Sequence, residues 1–149
     1  MTALFSPPKR RSVGEGLFAG TLDMLDDLHL AGIRCRVCSA TSFGRVELCP
    51  NCGAPDVEPI ALCRQGALVT YSVLRHAPPG NYRGPRPYVP FAIGLVSLPE
   101  GVAVVAPLDV VLDEVTIGMP LTLAPHILYC DEDGTEVVAF AFTVDRKAA

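Results

Sequence analysis

The sequence predicts a mainly β fold in which a short N-terminal helix and a small metal-binding ribbon precede a five-stranded barrel. Three observations lead to this prediction. Two closely spaced cysteine pairs lie between residues 35 and 52, apolar residues alternate with period two from residue 61 onward, and no long helical pattern separates these segments. With 149 residues, of which 50% are hydrophobic and 19% charged, the chain is long enough for one modest domain with a small appendage.

The first 60 residues are predicted to form two parts. Residues 1–15 are polar, basic and proline-containing, and we expect a flexible tail. Residues 16–60 are predicted to hold a short helix and the ribbon, with a strand over residues 28–34 between the helix and the first cysteine pair. The helix is predicted over residues 16–27 because four apolar residues recur there at roughly helical spacing. These residues are Leu17, Phe18, Leu22 and Leu25.

Four cysteines in two matched pairs predict a metal site. The candidate ligands are Cys35, Cys38, Cys49 and Cys52. Two residues separate the thiols of each pair, and two such turns can present four sulfurs to one point, which is the tetrahedral cage that structural Zn²⁺ prefers. Because all four ligands are thiolates, no position remains for water or substrate, and the metal is expected to stabilise the fold. Iron in the same cage, two disulfides, or one redox pair beside two idle thiols are the alternatives.

Five strands are predicted within residues 61–146, where apolar alternation is interrupted by turns rich in glycine and proline. They span residues 67–74, 89–95, 102–106, 121–126 and 137–144. Five antiparallel strands of this size, without a long helix between them, most economically close into a Greek-key barrel of the OB type. Closure also removes exposed strand edges. A β-sandwich is the alternative.

A long loop joins the first two barrel strands and is predicted to form a contact surface. Residues 76–86 are rich in proline, glycine and cations, and long loops on a rigid scaffold are often functional. Arginine matches phosphate oxygens, so the loop is expected to contact either phosphate groups or a partner protein. A plain solvent-exposed loop is the alternative. The candidate residues are Arg75, His76, Tyr82, Arg83, Arg86 and Tyr88.

Charge and hydropathy argue against nucleic acid and membrane partners. The net charge is −4, and residues 91–149 contain two basic and nine acidic side chains, whereas affinity for nucleic acid is carried largely by phosphate neutralisation. A nucleic-acid-binding protein is nevertheless kept as the alternative function, since barrels and ribbons of these types also occur there. No apolar run approaches the roughly 20 residues that cross a bilayer, and no signal-peptide pattern begins the chain. We therefore expect a cytoplasmic protein with reduced thiols.

No catalytic residues are predicted. The three histidines are scattered along the chain, and no nucleophile-elbow pattern is present. Cys63 and Cys130 sit beside apolar residues and are expected to be buried and inert, although His126 lies four residues from Cys130. The chain alone is therefore expected to be non-catalytic.

Several motifs follow one another in an order that resembles a known family. They are the two cysteine pairs, Thr70-Tyr71-Ser72-Val73, His76-Ala77-Pro78-Pro79-Gly80 and Ile117-Gly118-Met119-Pro120. Over roughly residues 16–146 the chain resembles the acyl-CoA-associated OB-fold proteins with an N-terminal rubredoxin-like zinc ribbon. The resemblance implies a small accessory subunit that binds a thiolase-fold catalytic subunit or an acyl-CoA hydratase. It also implies a place in a pathway such as aromatic or steroid degradation. If this chain itself contacts a coenzyme A thioester, the loop over residues 75–88 is the expected place, and docking of the same loop on the partner enzyme is the alternative.

Overall fold

The computed structural model describes residues 9–80 and 82–146 and confirms the mainly β fold. The strands β1 to β10, in chain order, are Arg10–Ser12, Phe18–Ala19, His29–Cys35, Thr41–Phe43, Val57–Ala61, Gln65–Leu74, Phe91–Ser97, Ala103–Asp109, Pro120–Cys130 and Glu136–Val144. Among the described residues, short 3-10 helices occupy Leu25–Asp27 and Leu112–Glu114. Within the described ranges, no helix is long and apolar enough to span a membrane.

Strands β6 to β10 form a closed five-stranded barrel. Neighbouring strands follow the order β9, β6, β7, β8 and β10, and a long antiparallel ladder between β10 and β9 closes the circle. One pairing differs from the predicted antiparallel arrangement, because β8 and β10 run parallel. Their ladder joins Phe142 with Leu108 and Thr143 with Asp109. The closed barrel is of the OB type and excludes the β-sandwich.

The barrel interior is filled by aliphatic side chains around one phenylalanine. On β8 every second residue is buried, as expected for a strand with one face on the core. At Gly94, an added Cβ would lie 2.7 Å from Leu68 Cδ1 and 2.9 Å from Leu108 Cδ1, so a larger residue would displace these leucines. The buried cluster includes Leu68, Ala92, Val96, Val104, Leu108, Leu121, Leu123 and Phe142.

The ribbon is a small sheet that packs against the barrel. Its central strand, β3, pairs antiparallel with β2, β4 and β5. Phe18 of β2 and Phe43 of β4 pack edge-to-face on Phe140 of β10, with ring centroids 6.0 and 6.3 Å away. Arg64, between β5 and β6, donates hydrogen bonds to the carbonyls of Leu28 and Leu123 at 2.9 and 3.2 Å. Ribbon and barrel are therefore joined by both apolar and polar contacts.

The predicted helix over residues 16–27 is wrong. This segment contains β2 and one 3-10 turn, and Gly16 and Gly20 have φ values of +70° and +112°, which a right-handed helix does not accommodate. Its apolar side chains pack from an extended chain instead. Within the predicted tail, Arg10–Ser12 pair in parallel with β10, so these three residues form a strand. Residues 1–8 lie outside the described residues.

Candidate metal centre and ligand groove

Two tight turns bring the four cysteine sulfurs together. The first turn begins at the last residue of β3, and the second lies between β4 and β5. All four Sγ atoms lie within 4.8 Å of one another, and the distances from Cys35 to Cys52 and from Cys38 to Cys49 are both 3.6 Å. A tetrahedral metal with sulfurs at about 2.3 Å has sulfur–sulfur edges of about 3.8 Å. The cluster could therefore hold a metal ion without rearrangement of the ribbon.

The two turns share one backbone geometry. The N–H of Ser39 donates to the carbonyl of Cys35 at 3.0 Å, and the N–H of Gly53 donates to the carbonyl of Cys49 at 2.8 Å. In both turns the N–H of the first cysteine donates to the carbonyl of the alanine five residues later, at 2.9 Å. These bonds close each turn and fix the directions of its two sulfurs.

Hydrogen bonds to sulfur prepare the cluster for negative charge. The backbone N–H groups of Val37 and Asn51 donate to the Sγ atoms of Cys35 and Cys49, both at 3.3 Å. The side-chain amide of Asn51 also donates to the Sγ of Cys38 at 3.5 Å. This bond is the first reason that the pKa of the Cys38 thiol is lowered to about 6, because it stabilises the thiolate.

The fourth thiol shows why the cluster suits a cation. The backbone N–H of Ala54 acts to lower the pKa of Cys52, but burial and hydrogen bonds with the three other thiols outweigh it and raise that pKa to about 12. Without a cation, one thiol ionises readily while its neighbour resists a second charge nearby. A divalent metal removes this conflict. The donor set thus fits a structural metal, and protein thiolates would fill all four positions.

The predicted loop tyrosines anchor the loop to the barrel. Tyr82 and Tyr88 pack against each other and against Phe91 of β7, with ring centroids 5.5 to 6.4 Å apart. The Tyr88 hydroxyl donates to the carbonyl of Leu74 at 2.6 Å. Burial, followed by the proximity of Tyr82, raises the pKa of Tyr88. The hydroxyl is therefore protonated at neutral pH and holds the two ends of the loop together.

The predicted cations lie on the outside of the loop. The guanidinium of Arg83 lies over the ring of Tyr129 on β9, 4.5 Å from its centroid, in a cation–π contact. Arg75, His76 and Arg86 are exposed. Arg83 therefore has a defined position across the barrel surface, and it lies at the edge of a groove.

This groove has a volume of about 640 Å³ and runs between the loop and strands β8, β9 and β10. Most of its lining is apolar, and its ionisable or strongly polar members are Tyr82, Arg83, Asp109 and His126. The segment that leads into β7 contributes residues 82–85, 89 and 90, and the barrel strands contribute residues 91, 107–109, 124, 126, 128 and 139–141. The arrangement can accept an apolar group and offers charges of both signs among its lining residues.

Of the six predicted loop residues, Tyr82 and Arg83 line the groove, and the sequence pattern misses the barrel side. Residues 107–109, 124–128 and 139–141 are distant in sequence and meet only because β8, β9 and β10 close the barrel. The available signal was the small side chain of Ala124, Ala139 and Ala141 on otherwise bulky strands. Small residues there leave a depression that period-two patterning does not reveal.

Cys130 does not form a catalytic pair with His126. Cys63 is half-buried, and Cys130 ends β9 at the surface and is exposed, so the expectation that both are buried is wrong. The Nδ1 of His126 lies 3.2 Å from the carbonyl of Ala124. Four residues along a strand span about 13 Å, which is too far for His126 to activate Cys130.

Comparisons with known proteins agree with this architecture. A family model described as ChsH2, C-terminal OB-fold domain, matches residues 60–124. A DUF35 domain-containing scaffold protein of Pyrococcus furiosus is 32% identical over 103 residues, which are 67% of this chain and 72% of that protein. The benzoylsuccinyl-CoA thiolase subunit BbsA of Thauera aromatica is 24% identical over 115 residues, covering 76% of this chain and 75% of the subunit.

A solved structure shows similarity beyond the barrel. The Ltp2-ChsH2(DUF35) aldolase has a TM-score of 0.60 and 26% identity, and the match covers 78% of this chain and 84% of that chain. Residues 61–146 alone are too few to make up 78% of this chain. The shared structure therefore includes part of the segment that precedes the barrel.

Proposed function

This chain belongs to the DUF35 family, and on that basis we propose that it is a non-catalytic accessory subunit of a thiolase-type acyl-CoA enzyme. One observation carries the proposal: the chain is similar, over 76% of its length, to a subunit of benzoylsuccinyl-CoA thiolase. The similar aldolase is named for a DUF35 component together with a second component, which supports the same kind of role. The benzoylsuccinyl-CoA in the name of that subunit supports a pathway of aromatic degradation, and steroid degradation is the alternative pathway.

The geometry supports a non-catalytic role for the chain itself. The metal cluster would be saturated by four thiolates, so it offers no open position for a substrate. A thiolase-type reaction needs an activated cysteine with acid–base partners. Among the described residues, Cys130 is exposed and distant from His126, and Cys63 contacts Gln65 at 3.4 Å. The catalytic cysteine is therefore expected from the partner chain.

We assign zinc to the cluster. Thiolate ligands favour soft metals, and a set of four cysteines in two Cys-x-x-Cys turns is typical of structural zinc. The metal would contribute to folding because it would bind the sulfurs of both ribbon turns, and such a site is absent from the unfolded chain. Free thiols at these positions also accord with a reducing compartment, so the cytoplasm is the proposed location. Elemental analysis of freshly purified protein distinguishes zinc from iron.

The cations of the long loop are assigned to coenzyme A. Arg75, Arg83 and Arg86 are exposed, and their guanidinium groups suit the phosphates of the nucleotide. His76 lies at the start of the loop and can donate a hydrogen bond beside them. Tyr82 and Tyr88 support this surface indirectly, since their rings are engaged with each other and with Phe91.

The decisive experiment is purification of the tagged chain from its native host, followed by native mass spectrometry. We expect a catalytic chain of thiolase size to co-purify, and acyl-CoA turnover to require that chain. The isolated subunit should show no turnover. Purification of the chain alone or with nucleic acid, or turnover by the isolated subunit that Cys130→Ser abolishes, would contradict the proposal.

A further inference from the structure

We propose that the groove between the loop and strands β8 to β10 binds the apolar acyl group of a thioester. This inference rests on the proposed function, which supplies the ligand class, and it assigns the acyl part to a defined place on this chain. The loop cations would then face the nucleotide end of the same ligand, with Arg83 between the two regions.

The size and lining of the groove fit a small organic group. Its volume of about 640 Å³ lies within the range of roughly 300–1,000 Å³ that is usual for small-molecule sites. Ala141 pairs with Ala124 and Ala139 pairs with His126 across β10 and β9. These small side chains leave space on the barrel side of the groove, and Phe91 and Val89 are also among its lining residues.

Val89 shows that an apolar wall is left uncovered. It is 55% exposed and lines the groove. Burial of apolar surface contributes about 25 cal/mol per Å², so an apolar occupant that covers Val89 and the alanine floor is favoured. A protein partner commonly buries about 800 Å² on each side, which is more surface than a groove of this volume presents.

The charges around the groove favour a neutral occupant with a polar end. Arg83 and Asp109 carry opposite charges and both line the groove, so the lining has no net charge when His126 is neutral. A free ion would therefore gain little. An acyl group is neutral and apolar, and the thioester to which it is attached continues towards phosphates that an arginine can bind.

The loop wall is held in place before any ligand arrives. Tyr82, Tyr88 and Phe91 pack together, the Tyr88 hydroxyl is bonded to the carbonyl of Leu74 at 2.6 Å, and Pro85 and Pro90 restrict the backbone. Such preorganisation lowers the entropy lost on binding. The groove thus has the rigidity expected of a binding site.

The test uses the isolated full-length chain and N-acetylcysteamine thioesters of octanoic and phenylacetic acid. These probes carry an acyl group but no nucleotide, so the loop arginines cannot account for their binding. We expect saturable chemical-shift changes at Val89, Ala124 and Ala139 in NMR titrations. Val89→Asp should weaken binding about tenfold, because it places a charge against an apolar ligand.

Matched variants separate groove effects from folding effects. Val105→Asp changes a valine that is 65% exposed on β8 outside the groove lining, and it should leave binding unchanged. Ala124→Leu should fill the floor and abolish binding, whereas Ala103→Leu, at an exposed position of β8, should not. If Ala124→Leu fails to fold, the comparison of Val89→Asp with Val105→Asp still tests the groove, provided that Val89→Asp unfolds at the same temperature as the wild type.

Two outcomes would overturn the inference: no saturable binding of either thioester, or binding that Val89→Asp and Ala124→Leu leave intact. Neither outcome depends on a partner chain. If the groove does not bind thioesters, the co-purification result for the catalytic subunit is unaffected. If no catalytic subunit co-purifies, the thioester-binding result for the isolated chain is likewise unaffected.

Discussion

Ser39 and Gly53 occupy equivalent positions in the two metal-binding turns, although one has a side chain and the other has none. Their φ values are +65° and +78°, and each donates its N–H to the carbonyl of the first cysteine of its pair, at 3.0 and 2.8 Å. Among the described residues, Ser39 is the single non-glycine with positive φ. The fold thus imposes the same left-handed turn on both sequences.

This equivalence predicts opposite effects of two substitutions. Ser39→Gly should stabilise the metal-loaded protein by about 0.5 kcal/mol, since relief of left-handed strain of about 1 kcal/mol is partly offset by glycine's flexibility in the unfolded chain. Gly53→Ala should destabilise it by about 1 kcal/mol. An added Cβ at Gly53 meets nothing within 4 Å, so that loss would be backbone strain alone. Urea denaturation measures both, and equal unfolding free energies for all three proteins would contradict the explanation.

The amide of Asn51 predicts how acid releases the metal. Its hydrogen bond is the first cause of the lowered Cys38 pKa, about 6, so the thiolate is favoured above that pH and is lost as the pH falls through it. Asn51→Ala should raise the Cys38 pKa, let protons compete better, and weaken metal affinity about tenfold. The midpoint of metal release should therefore move to higher pH.

Val37 provides the matched control for this titration. It occupies the same position in the first turn as Asn51 in the second, and its side chain is 66% exposed. Val37→Ala should leave the release midpoint unchanged when both proteins are titrated with acid beside a chromophoric zinc indicator. A shift of equal size in the two variants would mean that turn stability, rather than the amide hydrogen bond, sets the midpoint.

The sequence predicts the parts of this fold that depend on local pattern. The cysteine spacing identifies the cluster because two residues between the thiols define a turn that does not depend on the rest of the sequence. The strand predicted over residues 102–106 is found as β8, which extends three residues further, to Asp109. Residues 137–144 are predicted within one residue of the observed β10. In these segments a single face or turn determines the conformation.

Features that depend on contacts between residues distant along the chain are not predicted by the local sequence pattern. Leu17, Phe18 and Leu22 recur at helical spacing, yet Phe18 packs on Phe140 from an extended strand, because Gly16 and Gly20 adopt positive φ. The groove likewise depends on barrel closure, which brings Ala124 and Ala141 side by side. Neither contact produces a periodic pattern in the sequence. Where the local pattern is ambiguous, tertiary packing determines the conformation.

The ring of Phe140 predicts coupling between ribbon and barrel. It packs edge-to-face with Phe18, Phe43 and Phe142 at 6.0 to 6.4 Å. Phe140→Ala should cost about 2 kcal/mol, less than a fully buried phenylalanine, because the ring is half-buried. Phe140→Leu should recover most of that loss. If metal release and barrel unfolding coincide in the wild type but occur separately in Phe140→Ala, the interface couples the ribbon to the barrel. If the two transitions coincide in both proteins, Phe140 does not have this role.

The exposed arginines of the long loop predict an effect on acyl-CoA binding that can be distinguished from an effect on docking to the catalytic subunit. In the assembled enzyme, reversing Arg83 and Arg86 to Glu should raise the KM for acyl-CoA at least tenfold and leave kcat nearly unchanged. Loss of a single charge-assisted hydrogen bond, about 1.5 kcal/mol, already corresponds to a factor of about ten, and the variant changes two arginines. Arg34→Glu, at an exposed position of β3, is the control and should change neither quantity.

Gel filtration of the same double variant distinguishes the two roles of the loop. If the arginines bind phosphate, the complex stays assembled while KM rises, and higher ionic strength raises the wild-type KM towards that of the variant because salt screens the contact. If the loop instead docks on the catalytic subunit, the variant elutes as separate chains. An intact complex with an unchanged KM would exclude both roles, since the reversal of two charges on a contact surface cannot leave a neighbouring phosphate or protein unaffected.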